Sequence, residues 1–210
     1  MAPRLPFSLR KADAHLREAD PVLAALIDQF GPYTPRPGRD PYSALVRAIL
    51  FQQLAGAAAR AIDRKWRALY GEDGHTPSPA EVLGTSDEQF RSAGVSRQKA
   101  GYLRDLAQHI VDDRLDFAAI GRLPDAEVIA RLIDVHGIGE WTAHMFLMFT
   151  LHRPDVLPTG DLGVRNAIMR AYGLETPPKP AEMQAIAEPW RPYRTRACLY
   201  LWRSLDNAPD

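Results

Sequence analysis

One aspartate stands where a carboxylate could do chemistry. Asp161 lies in the stretch LPTGDLGVRNAIMRAY, between a loop rich in proline and glycine and a run with helical periodicity. Such an aspartate is typical of a helix N-cap, because its side chain accepts hydrogen bonds from the amides of the first turn. A carboxylate fixed in this way can also stabilise positive charge that develops on a substrate. The sequence alone leaves both roles open, and they do not exclude each other.

A second motif places two glycines in a short connection between helices. In HGIGEWTA, Gly137 and Gly139 separate an apolar run that ends at Val135 from another that begins near Glu140. Glycine permits a positive φ and a close approach of the backbone, so we predict a sharp turn of about four residues. Amides at the start of a helix lack intrahelical partners and bind phosphate, which makes the backbone of Gly137, Ile138 and Gly139 a candidate phosphate site. A plain glycine C-cap between two packed helices is the alternative.

The longer sequence segments that contain these motifs resemble a known family. LIDVHGIGEWTAHMF, followed by DVLPTGDLGVRNAI, resembles the helix–hairpin–helix glycine/proline/aspartate DNA glycosylases, with the greatest similarity to the 3-methyladenine DNA glycosylase II group. The resemblance extends from Asp40 to Asp206 and includes DPYSALVRAILFQQL, SRQKAGYLRDLA and WRPYRTRACLYLW. It implies that the backbone of the GIG turn grips a DNA phosphate without reading bases.

The resemblance also implies a reaction. The matching aspartate of the family is catalytic, so Asp161 is expected beside the anomeric carbon, where it stabilises an oxocarbenium-like transition state or orients the attacking water. One carboxylate suffices for N3- or N7-alkylated purines, because these bases are already cationic and leave readily. Bifunctional members carry a Schiff-base lysine just after the hairpin. Trp141 stands there in this chain, which predicts a monofunctional glycosylase without lyase activity.

Aromatic residues of the matching segments are expected to line a base pocket. Trp141 and Trp202 match aromatic pocket positions of the related enzymes, with Tyr200 as a candidate neighbour. An electron-rich ring attracts a cationic base by roughly 0.5–2 kcal/mol. Tryptophans at helical spacing are otherwise typical of a core. Leu162 stands where the related enzymes have an aromatic residue, so we expect a more open pocket.

A glycosylase must also fill the gap that an extruded nucleotide leaves in the duplex. In the family a residue from the region that matches AILFQQL does this, which indicates Gln53 or its neighbour Leu54. Leu54 continues the apolar stripe of Val46 and Leu50, so core packing is its alternative. Gln53 lies off that stripe.

Arginines supply the remaining candidate DNA contacts. Arg165 follows the aspartate by four residues and could face its carboxylate or a phosphate, a solvated side chain being the alternative. A basic cluster near the chain end could contact DNA, or it could pack against Asp206 or Glu188. The members of this cluster are Arg191, Arg194 and Arg196.

Few cofactors fit the composition. Cys198 is the only cysteine, which excludes an intramolecular disulfide, a cysteine-bound iron–sulfur cluster and a multi-cysteine zinc site. The resemblance implies a structural Na⁺ or K⁺ at the hairpin, bound by main-chain oxygens of Ile133, Val135 and Ile138. Lysine plus arginine equals aspartate plus glutamate, 26 each, so the net charge favours no class of partner.

The apolar periodicity predicts an all-α fold with no convincing alternating strand. The resemblance implies the glycosylase fold of two helical subdomains with the active cleft between them, without the extra N-terminal sheet domain of longer relatives. One subdomain is expected over 42–153 and ends in the hairpin; the other combines 1–41 with 154–210 and carries Asp161. Residues 1–20 are expected to form a strand or an extended arm. Later helices are predicted at 140–151, 162–172, 180–188 and 193–205.

The expected partner is double-stranded DNA that contains alkylated bases. The chain shows no signal peptide and no apolar run of about 18 residues, so we expect a cytoplasmic, nucleoid-associated protein of bacterial type that does not bind membranes. No apolar surface repeat indicates a dimer, so a monomer is expected. Two alternatives of other classes are a non-catalytic helix–hairpin–helix DNA-binding module and a purely structural helical scaffold.

Overall fold

The computed structural model describes residues 6–34, 40–71 and 74–205, and every regular element in these ranges is a helix. The all-α prediction is thereby confirmed for this part of the chain. No helix of the described ranges is long and apolar enough to cross a membrane. The helices are α1 (Leu9–Ala19), α2 (Pro21–Phe30), α3 (Pro41–Phe51), α4 (Gly56–Arg67), α5 (Pro79–Gly84), α6 (Asp87–Ser92), α7 (Arg97–Val111), α8 (Phe117–Ile120), α9 (Asp125–Ile133), α10 (Glu140–Phe149), α11 (Leu162–Ala171), α12 (Pro180–Ala187) and α13 (Arg194–Arg203), with a 3-10 turn at Glu188–Trp190 between the last two.

The four helices predicted near the chain end are present as α10 to α13, with each boundary within two residues of its prediction. The prediction of a strand or an extended arm for residues 1–20 is wrong, because α1 occupies most of that segment. Ser8 caps α1 by accepting a hydrogen bond from the Lys11 amide, and Ala12 and Leu16, four residues apart, are fully buried. Residues 1–5 lie outside the described ranges.

The chain divides into two compact units. The first comprises Met1–Gly38 and Leu147–Asp210, and the second comprises Arg39–Phe146. In the first unit α13 packs against α1, α2 and α11, and its residues from Thr195 to Trp202 are all buried. This helix is therefore the centre of the first unit.

Asp20 fixes the helices of the first unit. It is buried at the N-cap of α2 and accepts hydrogen bonds from the amides of Val22 and Leu23. Its Oδ2 accepts two more, from the Tyr172 hydroxyl at 2.5 Å and from Trp190 Nε1 at 2.9 Å. Burial and the hydrogen bond to Asp20 raise the pKa of Tyr172. One carboxylate thus joins the start of α2 to the end of α11 and to the 3-10 turn.

The second unit is built around α7, which packs against α3, α5 and α6. Leu103 and Leu106 on α7 are buried in its core. Capping boxes begin both short neighbours: Ser78 and Glu81 bond each other's backbone amides at the start of α5, as Ser86 and its partner Gln89 do at α6. Each box satisfies two amides that a helix start leaves without partners, so these short helices have defined starts.

Candidate active site

The carboxylate of Asp161 is held by two hydrogen bonds in the first unit. The loop before it turns so that the Asp161 amide donates to the carbonyl of Pro158 at 2.9 Å. The side chain then caps α11, with Oδ1 accepting from the Val164 amide at 2.7 Å. The same oxygen accepts from Trp202 Nε1 at 2.9 Å. The N-cap interpretation is confirmed, and the residue is only 8 % exposed, so its orientation is set by its surroundings.

Gly163 makes the contact between Trp202 and Asp161 sterically possible. A Cβ atom on Gly163 would lie 2.9 Å from Trp202 Nε1 and 3.0 Å from Asp161 Oδ1, shorter than ordinary van der Waals contacts of a Cβ atom. The indole ring can therefore reach the carboxylate only over a residue without a side chain. Sequence reasoning missed Gly163, although a glycine in the first turn of a helix is the signal for such a close approach.

An aromatic pair lies beside this carboxylate. The ring of Trp202 packs against Phe149, with ring centroids 5.9 Å apart and planes tilted by 30°. Trp202 is 9 % exposed and Phe149 is 36 % exposed, so the pair has a buried and an open side. Phe149 was missed by sequence reasoning; its signal is its place in the last turn of the apolar helix α10. Leu162, next to the carboxylate, is largely exposed, and the more open pocket expected there stays a prediction.

Tyr200 has a different role from the one predicted. Residues two apart on a helix point in nearly opposite directions, so Tyr200 and Trp202 lie on different faces of α13. Tyr200 is fully buried, and its hydroxyl donates to Asp13 Oδ1 at 3.1 Å and accepts from Arg196 at 2.8 Å. Burial raises its pKa to about 12. We therefore assign Tyr200 to the core of the first unit and not to the base pocket.

The other predicted pocket residue, Trp141, belongs to the second unit. It is the second residue of α10 and is half exposed. Core packing, the alternative for a tryptophan at helical spacing, is therefore wrong for Trp141. Its contact with a base stays a prediction.

The glycine turn of the second unit connects α9 to α10 through residues 134–139. The preceding helix ends at Ile133, two residues before the predicted end, so the connection is longer than expected. The Ile138 amide donates to the carbonyl of Val135 at 3.0 Å, and both side chains are buried. The backbone of the hairpin is thereby fixed to the core on one side, while Gly139 is exposed on the other.

The two glycines of the hairpin have different structural roles. Gly137 has φ +89°, and a Cβ atom there would lie 2.3 Å from the ring of Tyr102. Gly139 has open space around the position of a Cβ atom. Gly137 is thus required by the fold, whereas the small size of Gly139 leaves room for a ligand.

We expect Gly137→Ala to lower the free energy of unfolding by about 2 kcal/mol, because it combines a positive φ with a clash against an aromatic ring. We expect Gly139→Ala to change it by less than about 0.5 kcal/mol, because nothing crowds that position. Urea denaturation of the two variants measures both values. Equal destabilisation of the two variants would contradict this assignment.

The main-chain oxygens predicted to bind a monovalent cation belong to the same hairpin. That of Val135 accepts the hydrogen bond from Ile138. A carbonyl oxygen has two lone pairs, so this bond leaves Val135 able to bind a cation as well. The cation site at Ile133, Val135 and Ile138 stays a prediction.

The predicted wedge residues follow the end of α3. Gln53 has φ 56°, in the left-handed region that residues other than glycine rarely adopt. Its side chain is exposed, and Leu54 is 39 % exposed. Core packing of Leu54 is therefore wrong, and both side chains are available at the surface of the second unit.

The arginines that were predicted to contact DNA belong to the first unit, and their side chains contact other residues of that unit. Arg165 donates from Nε to the carbonyl of Pro178 at 3.1 Å. Arg191 pairs with Glu188, as its alternative proposed, and also with Asp155; Asp206 lies outside the described residues. The other two members of the cluster also form ion pairs with carboxylates, Arg194 with Asp155 and Arg196 with Asp13. The cluster thus packs against acidic side chains.

Comparison with known proteins defines the class to which this fold and site belong. Residues 46–192 match the HhH-GPD superfamily of base excision DNA repair proteins. The match covers more than half of the chain, and the protein belongs to this superfamily.

Within this superfamily the chain is similar to several individual proteins. The chain is 33 % identical over 201 residues to DNA-3-methyladenine glycosylase 1 of Schizosaccharomyces pombe, covering 94 % of this chain and 88 % of that protein. A solved structure of the Schizosaccharomyces pombe 3-methyladenine DNA glycosylase in complex with abasic DNA superposes with a TM-score of 0.82 at 32 % identity, covering 93 % of this chain and 97 % of the other. The DNA-3-methyladenine glycosidase of Bacillus halodurans gives the same TM-score of 0.82 at 33 % identity, with 97 % and 91 % coverage.

Proposed function

We propose that this base excision repair protein is a monofunctional DNA glycosylase, which hydrolyses the N-glycosidic bond of alkylated bases such as 3-methyladenine and 7-methylguanine in double-stranded DNA. One observation carries the proposal: Oδ1 of Asp161 is fixed by the Val164 amide and by the indole of Trp202. The relatives named 3-methyladenine glycosylases support the choice of substrate.

In this reaction the bond between C1′ and the base nitrogen breaks, and its electron pair neutralises the cationic base. Positive charge builds on the sugar, and the carboxylate of Asp161 stabilises it. A water oxygen then bonds to C1′ and releases a proton to the surrounding water, which leaves an abasic sugar. Because the Val164 amide and the Trp202 indole already orient the carboxylate, it needs no rearrangement when the charge develops.

The aromatic pair supports selection for alkylated bases. Phe149 is partly exposed and packs against the indole of Trp202, which donates to Asp161, and an exposed aromatic face attracts a cation by roughly 0.5–2 kcal/mol. A normal purine is neutral and gains none of this attraction. It also leaves poorly without a general acid, so the same site discriminates at binding and at bond cleavage.

The second unit supplies the proposed contacts to the duplex. The backbone at Gly139 would hold a phosphate, since it is exposed at the start of α10 and free of steric crowding. Gln53 or Leu54 would fill the gap left by the extruded nucleotide. None of these contacts reads a base sequence, which suits an enzyme that must find damage anywhere.

A base-release assay on duplexes with single defined lesions tests the proposal. We expect the protein to release 3-methyladenine and 7-methylguanine and to leave abasic sites that break only after alkali treatment. Borohydride should trap no covalent complex, because Trp141 cannot form a Schiff base. Equal binding of damaged and undamaged duplexes without base release would instead identify a non-catalytic DNA-binding module, and the absence of salt-dependent binding would identify a structural scaffold.

A further inference from the structure

We infer that Gln52 is a positioning residue. It fixes the position of the wedge turn (residues 52–54), whose side chains would fill the gap in the duplex, relative to the phosphate-binding hairpin (residues 134–139). The inference rests on the proposed function, because it assumes that the hairpin holds DNA and that Gln53 or Leu54 fills the gap.

The first support is a direct bond between two segments that are far apart in the chain. Gln52 Nε2 donates to the carbonyl oxygen of Gly137 at 2.8 Å, across 85 positions of sequence. A Cβ atom on Gly137 would lie 2.3 Å from the ring of Tyr102, so the ring packs closely against the hairpin at this residue. The side chain of Gln52 is thereby bonded to a closely packed point of the hairpin.

The second support is that the backbone of the same residue is held by a different side chain. Lys99 Nζ donates to the carbonyl of Gln52 at 2.8 Å and to that of Leu50 at 2.7 Å. These carbonyls end α3, where a helix leaves its acceptors without partners and where a cation is favourable. Burial lowers the pKa of Lys99, as expected for an ammonium group placed under this turn.

The third support is the backbone of the next residue. Gln53 has φ 56°, and such a conformation in a residue other than glycine persists only when its surroundings impose it. Lys99 and the hairpin hold Gln52 immediately before it. The exposed side chains of Gln53 and Leu54 therefore project from a turn whose position relative to Gly137 is set before DNA binds.

This arrangement has a consequence for recognition. A hairpin that grips one phosphate positions the wedge turn over one base step only if the two segments keep a constant separation. Preorganisation of this kind removes the cost of ordering the wedge when it enters the gap. Loss of the hydrogen bond from the Gln52 side chain should thus lower the affinity for DNA with a gap in its base stack. The affinity for undamaged duplex should stay unchanged.

Gln52→Met tests the inference, because methionine keeps the length of the side chain and removes the donor. We measure the affinity for a duplex with a tetrahydrofuran abasic analogue and for the same duplex undamaged. The preference for the abasic duplex should fall about 3- to 10-fold, the value of one hydrogen bond, while the affinity for undamaged duplex changes less than about 2-fold. Gln108→Met is the matched control, since Gln108 donates to Asp112 on the exposed side of α7 and takes no part in the proposed machinery.

Two further variants test whether Gln52 acts through the wedge turn. Lys99→Met removes the other anchor of the turn and should lower the abasic preference in the same direction, which keeps the inference testable if Gln52→Met is unstable. Gln53→Ala/Leu54→Ala removes the wedge itself, and adding Gln52→Met to it should cost no further preference, because Gln52 acts through the wedge.

Three results would overturn the inference: an unchanged abasic preference in Gln52→Met, an equal loss on both duplexes, or a wild-type protein without abasic preference. These binding measurements need no base release. Failure of the proposed reaction would appear separately, as a wild-type protein that prefers abasic duplex and releases no alkylated base.

Discussion

Asp161→Asn is expected to slow the release of 3-methyladenine from duplex DNA by about 10²–10³-fold or more, the value of a preorganised group that stabilises transition-state charge. Asparagine keeps the Oδ1 acceptor, so it can still accept from the Val164 amide and from Trp202, and the helix start remains capped. The substitution removes the negative charge and replaces Oδ2 by an NH2 donor. Single-turnover assays at saturating enzyme measure the effect on the chemical step.

The affinity of Asp161→Asn for the same duplex should stay within about 3-fold of the wild-type value, because the hairpin is unchanged. Asp116→Asn is a matched control, since Asp116 also caps a helix, α8, by accepting from the Ala118 amide at 2.7 Å. The control should release base at the wild-type rate. Normal turnover by Asp161→Asn would refute the catalytic assignment and leave Asp161 as an N-cap alone.

The helices near the chain end could be predicted because local signals mark their boundaries. Proline begins α12, and Asp161 and Gly173 bracket α11, so the bounds follow from backbone geometry that does not depend on distant residues. The N-terminal helix was missed because only Ala12 and Leu16 among its residues are fully buried, in a segment rich in charged side chains. Periodicity is hard to recognise when so few residues carry it.

Only those residues of the candidate site that have a recognisable local sequence pattern could be predicted. Asp161 has a local signature, whereas the exclusion of Tyr200 depends on the orientation of α13, which packing against α1, α2 and α11 decides. The role of Gly163 depends on Trp202, and that of Gln52 on Gly137, 85 positions away. Such contacts require the tertiary structure.

The two roles of Asp161 support each other physically. The Val164 amide and the Trp202 indole both donate to Oδ1, so the bonds that cap α11 also orient the carboxylate. A side chain on a loop without these donors would have to be ordered when the substrate binds, at an entropic cost. The helix start thus provides the rigidity that electrostatic catalysis needs.

Gly163→Ala is expected to lower the rate of base release by about 10²-fold, although position 163 contacts no substrate in the proposed mechanism. The added methyl group would lie 2.9 Å from Trp202 Nε1 and 3.0 Å from Asp161 Oδ1, so the ring or the carboxylate must move by a few tenths of an ångström or more. Single-turnover base release measures the loss. Gly160→Ala is the matched control, because a Cβ atom there meets nothing within 4 Å, and its rate should equal that of the wild type.

A double-mutant cycle separates this steric effect from a general loss of stability. Trp202→Ala removes the indole ring whose Nε1 and Cδ1 crowd position 163, together with its hydrogen bond to Asp161. If the alanine at position 163 acts by displacing the indole, Gly163→Ala should cost little further activity in the Trp202→Ala background, and the two effects will be far from additive. Additive losses would show that Gly163 matters for the helix alone, and that the contact between the indole and the carboxylate does not govern the chemistry.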